Sequence, residues 1–362
     1  MPTKRLPNSA DIKHLKNQAK DLLRQLRNRK LSAFQRIREF HPRFSGLSDA
    51  VITQHLFSLS DAQLSIAREY GYANWPRLKA VIAERDGCHV DLIHNDRITD
   101  PLFLQALDFL DEGNDRALAK HLTAHPKLVH QQVIFEGDNY FTNPTLIEFV
   151  AENPIRQGQI PANIVGVARV ILEAGASGNQ EALNSAVMLV ASGRLAREFD
   201  AQEPLIGLLC DYGADPAAGL SAAVGEGEFA AARLLIARGA PLDLPVAAAL
   251  DMRGEVANQL GNTTKEQLQL GLSLSALHGR RAIVEILLHA GADPNLFNPP
   301  GGHSHCTPLH SAAFAGHLET VKALTKSGAR CDIGDIHRGA TAVAWAEHAG
   351  HDEIARYLTA KG

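Results

Sequence analysis

The chain is poor in the features that mark several functional classes. It has 4 cysteines in 362 residues, Cys88, Cys210, Cys306 and Cys331, and none belongs to a CxxC pair. A disulfide scaffold needs more thiols at closer spacing, so a reducing cytoplasm is the expected setting. Aromatic residues are 6% of the chain. Its apolar runs, such as 246–250, fall far short of the roughly 20 residues that cross a bilayer. No membrane span is therefore expected. The first residues carry charge but no apolar stretch, so no secretory signal is expected either. No GxSxG, Walker loop, HExxH or GxGxxG occurs, which removes the common signatures of hydrolases, nucleotide-binding proteins and zinc proteases. A net charge of −4 excludes a wholly basic nucleic-acid coat, and 45% apolar residues exclude a disordered chain.

What the sequence does contain is a repeat. Gly-Ala follows an apolar, helix-like run at Gly175-Ala176, Gly213-Ala214, Gly239-Ala240, Gly291-Ala292 and Gly328-Ala329, and Gly362 follows another. The gaps are 38, 26, 52, 37 and 34 residues, so most are close to one supersecondary unit. The clearest unit begins Thr307-Pro308-Leu309-His310-Ser311-Ala312-Ala313, continues through Gly316-His317, Val321 and Leu324, and ends on Gly328-Ala329. A shift of 34 residues reaches Thr341, Val343, Ala346, Gly350-His351, Leu358 and Gly362. A shift back of 37 reaches Leu272, Ala276, Gly279, Val284, Leu287 and Gly291-Ala292. Each position has a physical reason. Thr caps a helix and Pro suits its first turn. Small residues let helices stack, and a final Gly adopts the left-handed conformation that stops the second helix. One helix pair cannot bury its apolar face, whereas stacked pairs can.

These residues resemble the ankyrin repeat, with its TPLHxAA, GH, VxxL and GA positions. The resemblance implies an all-α protein, an ankyrin-type helix-pair solenoid over 98–362. About eight helix pairs are expected, clearest at 219–240, 270–293, 307–330 and 341–362. Earlier pairs are fainter. In one, Thr145-Leu146-Ile147 stands where Thr-Pro-Leu would be and Glu148 replaces the histidine. Another has an Arg-rich linker, 193–197, between its helices.

Residues 1–90 differ in kind and are expected to form a small basic helical module. The first 44 residues hold 12 Lys or Arg against 3 Asp or Glu, a net +9 that leaves −13 for the rest. Ile12, Leu15, Ala19, Leu22, Leu23 and Leu26 follow a helical period, with Lys13, Lys16, Lys20, Arg24 and Arg27 as a neighbouring stripe. Ser60 and Gln63 form a capping-box pattern, with Leu59 and Leu64 as its staple. This stretch, through Tyr70-Gly71 and Trp75-Pro76, resembles an N-terminal module of bacterial ankyrin-repeat proteins. That family carries no assigned reaction to transfer.

Three constellations invite a chemical reading. His303, His305, Cys306 and His310 place zinc-type ligands within eight positions. The spacing matches no recognised finger, and in the ankyrin pattern His310 bonds backbone between adjacent repeats, so no metal or cofactor is assigned. Cys88 near His89 and His94 suggests a thiol nucleophile, but it falls in the expected linker between module and repeats. The basic stripe is read first as a solvated or self-docked face, second as a nucleic-acid surface, and third as a membrane-surface or partner-helix face.

Partner binding has the better residue-level support. By resemblance, Ser311 and Phe314 face the concave groove. Their register mates are Leu274 and Leu277 one unit back, and Trp345 and His348 one unit on, with Phe297 on the adjoining finger. A row of exposed apolar residues is the pattern of partner anchors. The expected function is a non-enzymatic module that binds a protein or peptide through that groove. The alternatives are a regulator contacting nucleic acid through the basic helix, and a metal-binding protein using the loop 303–310. The sequence carries no signal of oligomeric state.

Overall fold

The computed structural model describes residues 4, 6, 12–55, 57–85, 94–135 and 140–361, with the side chains of 83–85, 94 and 96 left out. Cys88 and His89, and the side chain of His94, lie outside the described residues. Among the described residues the chain is helical with no β-strand, and an isolated antiparallel bridge joins Gly334 to Thr341. No described helix is long and apolar enough to cross a membrane. Two compact units emerge, Met1–Ala182 and Leu183–Gly362.

The first unit opens with the basic helix, Ile12–Arg27. Its buried residues, Leu15, Ala19, Leu22 and Leu26, repeat at the helical period and pack against the helix Leu59–Glu69. They join Phe34, Ile37, Phe44, Ile66, Trp75 and Leu78 in one core. Lys13, Lys16, Lys20, Arg24 and Arg27 are all exposed on the opposite side. The capping box sits two residues earlier than expected. Ser58 is the N-cap, and its backbone N–H donates to Asp61 at 2.7 Å while its hydroxyl accepts from the Asp61 N–H at 3.1 Å. Asp61 outcompetes Gln63 because a carboxylate also attracts His41 (3.2 Å) and Arg43 (2.8 Å). Burial alone would raise this carboxyl; the hydrogen bonds from His41 and Ser58 and the Arg43 charge hold it well below the usual range.

The expected division at 90–98 does not coincide with the compact units. Arg68 of the module reaches Asp108 at 3.4 Å, so the basic module and the first helix pair, Pro101–Asp111 and Asp115–Ala124, belong to one unit. Charge changes near 90, but packing continues past it. In the next pair Glu148 takes the histidine's role: its carboxylate accepts from the Thr145 N–H at 2.6 Å and hydroxyl at 3.1 Å. Below it, buried Arg156 pairs with Asp111 (3.0 Å) and Glu152 (2.9 Å). Glu152 also accepts backbone N–H groups from Arg156 and Gly158, pinning that loop.

The second unit stacks helix pairs: Pro216–Gly225 with Phe229–Ala237, Leu244–Ala249 with Arg253–Gln259, Lys265–Leu277 with Arg281–His289, Pro308–Phe314 with Leu318–Lys326, and Ala342–His348 with Asp352–Thr359. The expected linker at 193–197 is instead a short helix, Arg194–Glu198, whose exposed Arg194–Glu198 pair at 2.9 Å supports one turn. Leu272, Val284, Leu287, Leu309, Val321, Leu324, Ile354 and Leu358 form a continuous core along the stack. Each such side chain contributes about 1.5–3 kcal/mol on burial.

Adjacent pairs are tied by one repeated bond. The carbonyls that end a helix have no partner within it. His317 Nε2 donates to the carbonyl of Leu277, the last residue of the preceding unit's first helix, at 3.1 Å. His351 Nε2 does the same to Phe314 at 3.0 Å. At the equivalent position one unit back stands Arg280, whose Nε donates to Ala249 at 2.9 Å. His278, at the C-cap of Lys265–Leu277, donates to the Val224 carbonyl at 2.7 Å. The turn glycines make room for these rings. A Cβ at Gly316 would lie 2.7 Å from the His351 ring, and one at Gly279 2.6 Å from the His317 ring. Both glycines also hold positive φ, +81° and +67°.

Two outcomes follow. Gly316→Ala is expected to destabilise the protein by about 1–3 kcal/mol, since it combines left-handed strain with a ring clash; thermal melting measures it, and an unchanged melt would refute the account. Burial pushes the His278 imidazole down to about 4 from its ordinary 6.5, with the hydrogen bond to Val224 opposing and the Arg280 charge adding. The unfolded chain therefore binds this proton first. Stability from this group is complete above pH 6.5 and is lost as pH falls from there towards about 4. Proton NMR of the His278 ring should give a midpoint well under 6.5, and His278→Gln should flatten melting across that interval.

Candidate functional site

In the second unit, Thr307 caps the helix Pro308–Phe314 and His310 reaches back to it. The Thr307 hydroxyl and N–H lie 2.8 and 3.3 Å from His310 Nδ1. Nδ1 therefore accepts, and Nε2 carries the proton that it donates to the Ala340 carbonyl at 3.0 Å. Burial first, and the charge of nearby His305, lower the His310 pKa, whereas its bond to Ala340 and the Asp335 charge work against that. The imidazole is a neutral strut between adjacent units, as the ankyrin resemblance implied.

The strut positions a hairpin-like finger against the helix Ala342–His348. The Asp335 N–H donates to the Ala340 carbonyl at 2.8 Å, and Gly339 donates to Asp335 at 3.0 Å. The Asp335 carboxylate accepts from the backbone of Arg338 (2.7 Å) and His337 (2.9 Å) and from the Trp345 indole at 2.9 Å. The Arg338 N–H and then the indole hold its pKa down to about 2, so it is ionised throughout the physiological range. Trp345 is thereby fixed with its ring edge-on to Phe314 (5.7 Å) and His310 (5.3 Å).

These groups surround a pocket of about 560 Å³. Of the residues expected to face a partner, Leu277, Ser311, Phe314, Trp345 and His348 line it, and Leu274 and Phe297 are not among its lining. The expected row of exposed side chains needs correction. Phe314 is 47% exposed and Leu277 and Trp345 are half-buried, but Leu274 (5%) and Ser311 (3%) are buried. Helices pack on both sides of Lys265–Leu277, the helix in which Leu274 is buried. Ser311 is turned into a small polar network: the Asn298 amide donates to it at 3.3 Å, and the Ser273 hydroxyl donates to the Asn298 carbonyl oxygen at 2.8 Å. Phe297 is exposed on the neighbouring loop.

The histidine-rich loop does not assemble a four-ligand site. Both His310 ring nitrogens are engaged, and the Cys306 thiol lies 3.3 Å from the His303 carbonyl and 3.5 Å from Ser311 Oγ. Burial pushes that thiol's pKa up, away from the thiolate a metal prefers. Among the described residues no group of three or more His, Cys, Asp or Glu is arranged to hold an ion. Instead His303 and His305 join the pocket wall. Sequence reasoning missed the finger residues Asp335, His337 and Arg338, which also line it. The signal that could have found them is the finger preceding Thr341, which in a repeat array lies over the helix that Thr341 caps.

The comparisons agree with this architecture. A family model described as ankyrin repeats (3 copies) matches residues 272–362. The chain is 36% identical over 138 residues to a protein of Rattus norvegicus named cyclin-dependent kinase 4 inhibitor B, covering 35% of this chain and 97% of that protein. The Bos taurus protein of that name is 36% identical over 139 residues, with the same coverage. The Homo sapiens protein named cyclin-dependent kinase inhibitor 2A is 40% identical over 82 residues, 23% of this chain and 50% of that protein.

Proposed function

The chain belongs to the ankyrin-repeat family and is a protein-interaction module, and from that premise we propose that it binds a protein or peptide through the pocket that Phe314 and Trp345 line. The observation that carries this reading is an apolar aromatic side chain, Phe314, kept 47% exposed at a concavity whose adjoining aromatic wall, Trp345, is locked by Asp335. A pre-positioned aromatic wall is what makes a binding hot spot, because little ordering entropy remains to be lost on association. The action is non-enzymatic: the pocket's ionisable groups serve as struts and walls. The relatives are named as inhibitors of a cyclin-dependent kinase; what we carry to this chain is the class of partner, a protein. The described cysteines Cys210, Cys306 and Cys331 are free thiols, which supports a cytoplasmic setting. The basic module over 1–90, and its likeness to bacterial ankyrin-repeat proteins, belong to the same reading.

Phe314→Ala alone, and with Trp345→Ala, is the test. A partner retained from host lysate by the wild type should lose about tenfold or more in affinity with the single variant and be undetectable with the double, while both variants melt cooperatively. Retention of the same partner at wild-type affinity by both variants would overturn the assignment.

One observation favours a second reading. Lys13, Lys16, Lys20, Arg24 and Arg27 all face solvent on a single helix, an arrangement that suits phosphate contacts along nucleic acid. On that reading, binding to duplex DNA or RNA falls steeply between 50 and 200 mM salt, on the order of 10³-fold. Lys16→Glu with Lys20→Glu would abolish it. Salt-insensitive or absent binding removes this reading.

A further inference from the structure

The pocket has a chemical bias that aromatic anchoring alone does not use. His305 lies between Trp345, with ring centroids 5.6 Å apart, and His337, 4.8 Å away, and His303 is 6.1 Å off. Arg338 is exposed next to His337 in the chain, and His348, the last residue of the helix Ala342–His348, also lines the pocket. The carboxylate among the lining residues is Asp335, an anion that accepts from the His337 and Arg338 backbone and the Trp345 indole. His310, from Pro308–Phe314, is turned to Ala340, and the Cys306 thiol stays protonated as burial raises its pKa. Leu277 and Phe314 add apolar surface to the same lining. The result is an edge of imidazoles and one guanidinium that outnumber the single lining carboxylate, whose two oxygens are engaged by N–H donors, next to an apolar surface.

Resting on the reading that this pocket is the partner site, we propose that its ligand is an acidic peptide, an extended segment in which Asp or Glu stands beside a large apolar residue. The apolar side chain packs on Phe314 and Leu277. The carboxylate meets His305, His337 and Arg338. Charge complementarity of this kind sets specificity and register more than gross affinity. It also couples binding to protons. Burial first, then the neighbouring His337 and His303, lower the His305 pKa against the opposing Asp335 charge. An anion placed beside the His305 ring favours its charged form, so binding takes up a proton and strengthens as pH falls.

Fluorescence anisotropy with the full chain tests this on three labelled peptides of one length. They alternate Leu and Phe with Glu, with Gln or with Lys. At pH 6.0 the Glu peptide should bind about tenfold tighter than the Gln peptide, with the Lys peptide weakest. Its affinity should fall about threefold or more by pH 7.5. His337→Gln with Arg338→Gln should erase the preference for Glu over Gln without changing the melting temperature, because both side chains are exposed. Equal binding of the Glu and Gln peptides overturns the acidic assignment and leaves the pocket as the partner site. An acidic preference that survives the double variant places the specificity elsewhere and also overturns it. If no peptide binds, and the Phe314→Ala protein nevertheless retains the lysate partner, the pocket reading and this inference fall together.

Discussion

The bond from the start of one unit's second helix to the last carbonyl of the preceding unit's first helix organises the second half of this protein. His317, His351 and Arg280 each place a ring or guanidinium N–H on a carbonyl that its own helix cannot satisfy. The glycine at the preceding turn has to remain without a side chain so that the incoming ring fits. One bond thus accounts for two features of the repeat, the glycine and the residue that follows it one unit later. It accepts Arg in place of His because the geometry asks only for a planar N–H donor of sufficient reach.

The pocket inherits its order from that spacing. Once adjacent units are held in register, His310 meets the Ala340 carbonyl, the finger closes on the Asp335 carboxylate, and Trp345 is held by its indole. Polar groups that look reactive in isolation are absorbed as struts: His310 is neutral and doubly bonded, and Cys306 is buried in a network with Asn298 and Ser311. The groups lining the cavity include aromatic, aliphatic and imidazole side chains with one guanidinium and one carboxylate, Arg338 and Asp335. That mixture suits recognition of another chain, and it draws on a finger, a loop and three helices at once.

The helix pairs were legible because their signals are local: capping residues, apolar period and turn glycines all lie within one unit's length. Glu148 could even be read as a histidine substitute, and it makes the same reciprocal cap. Legibility failed where two local solutions competed or where packing decided. Ser58 and Ser60 both begin plausible capping boxes, and the choice went to Ser58 because Asp61 had distant cations to meet. Leu274 and Ser311 occupy register positions equivalent to Trp345, yet both are buried: helices pack on both sides of Lys265–Leu277, and the Asn298 amide draws Ser311 inward.

By itself the sequence determined the helical class, the repeat, its turn chemistry and the basic face of the first helix, since each depends on residues a few positions apart. Only the tertiary structure decided which side chains face the cavity, that the histidine-rich loop splits between strut and wall, and that Asp335, His337 and Arg338 belong to the site. Those outcomes depend on contacts that cross from one unit to the next, such as His310 with Ala340, 30 residues on, where no local period specifies which of several similar faces is covered.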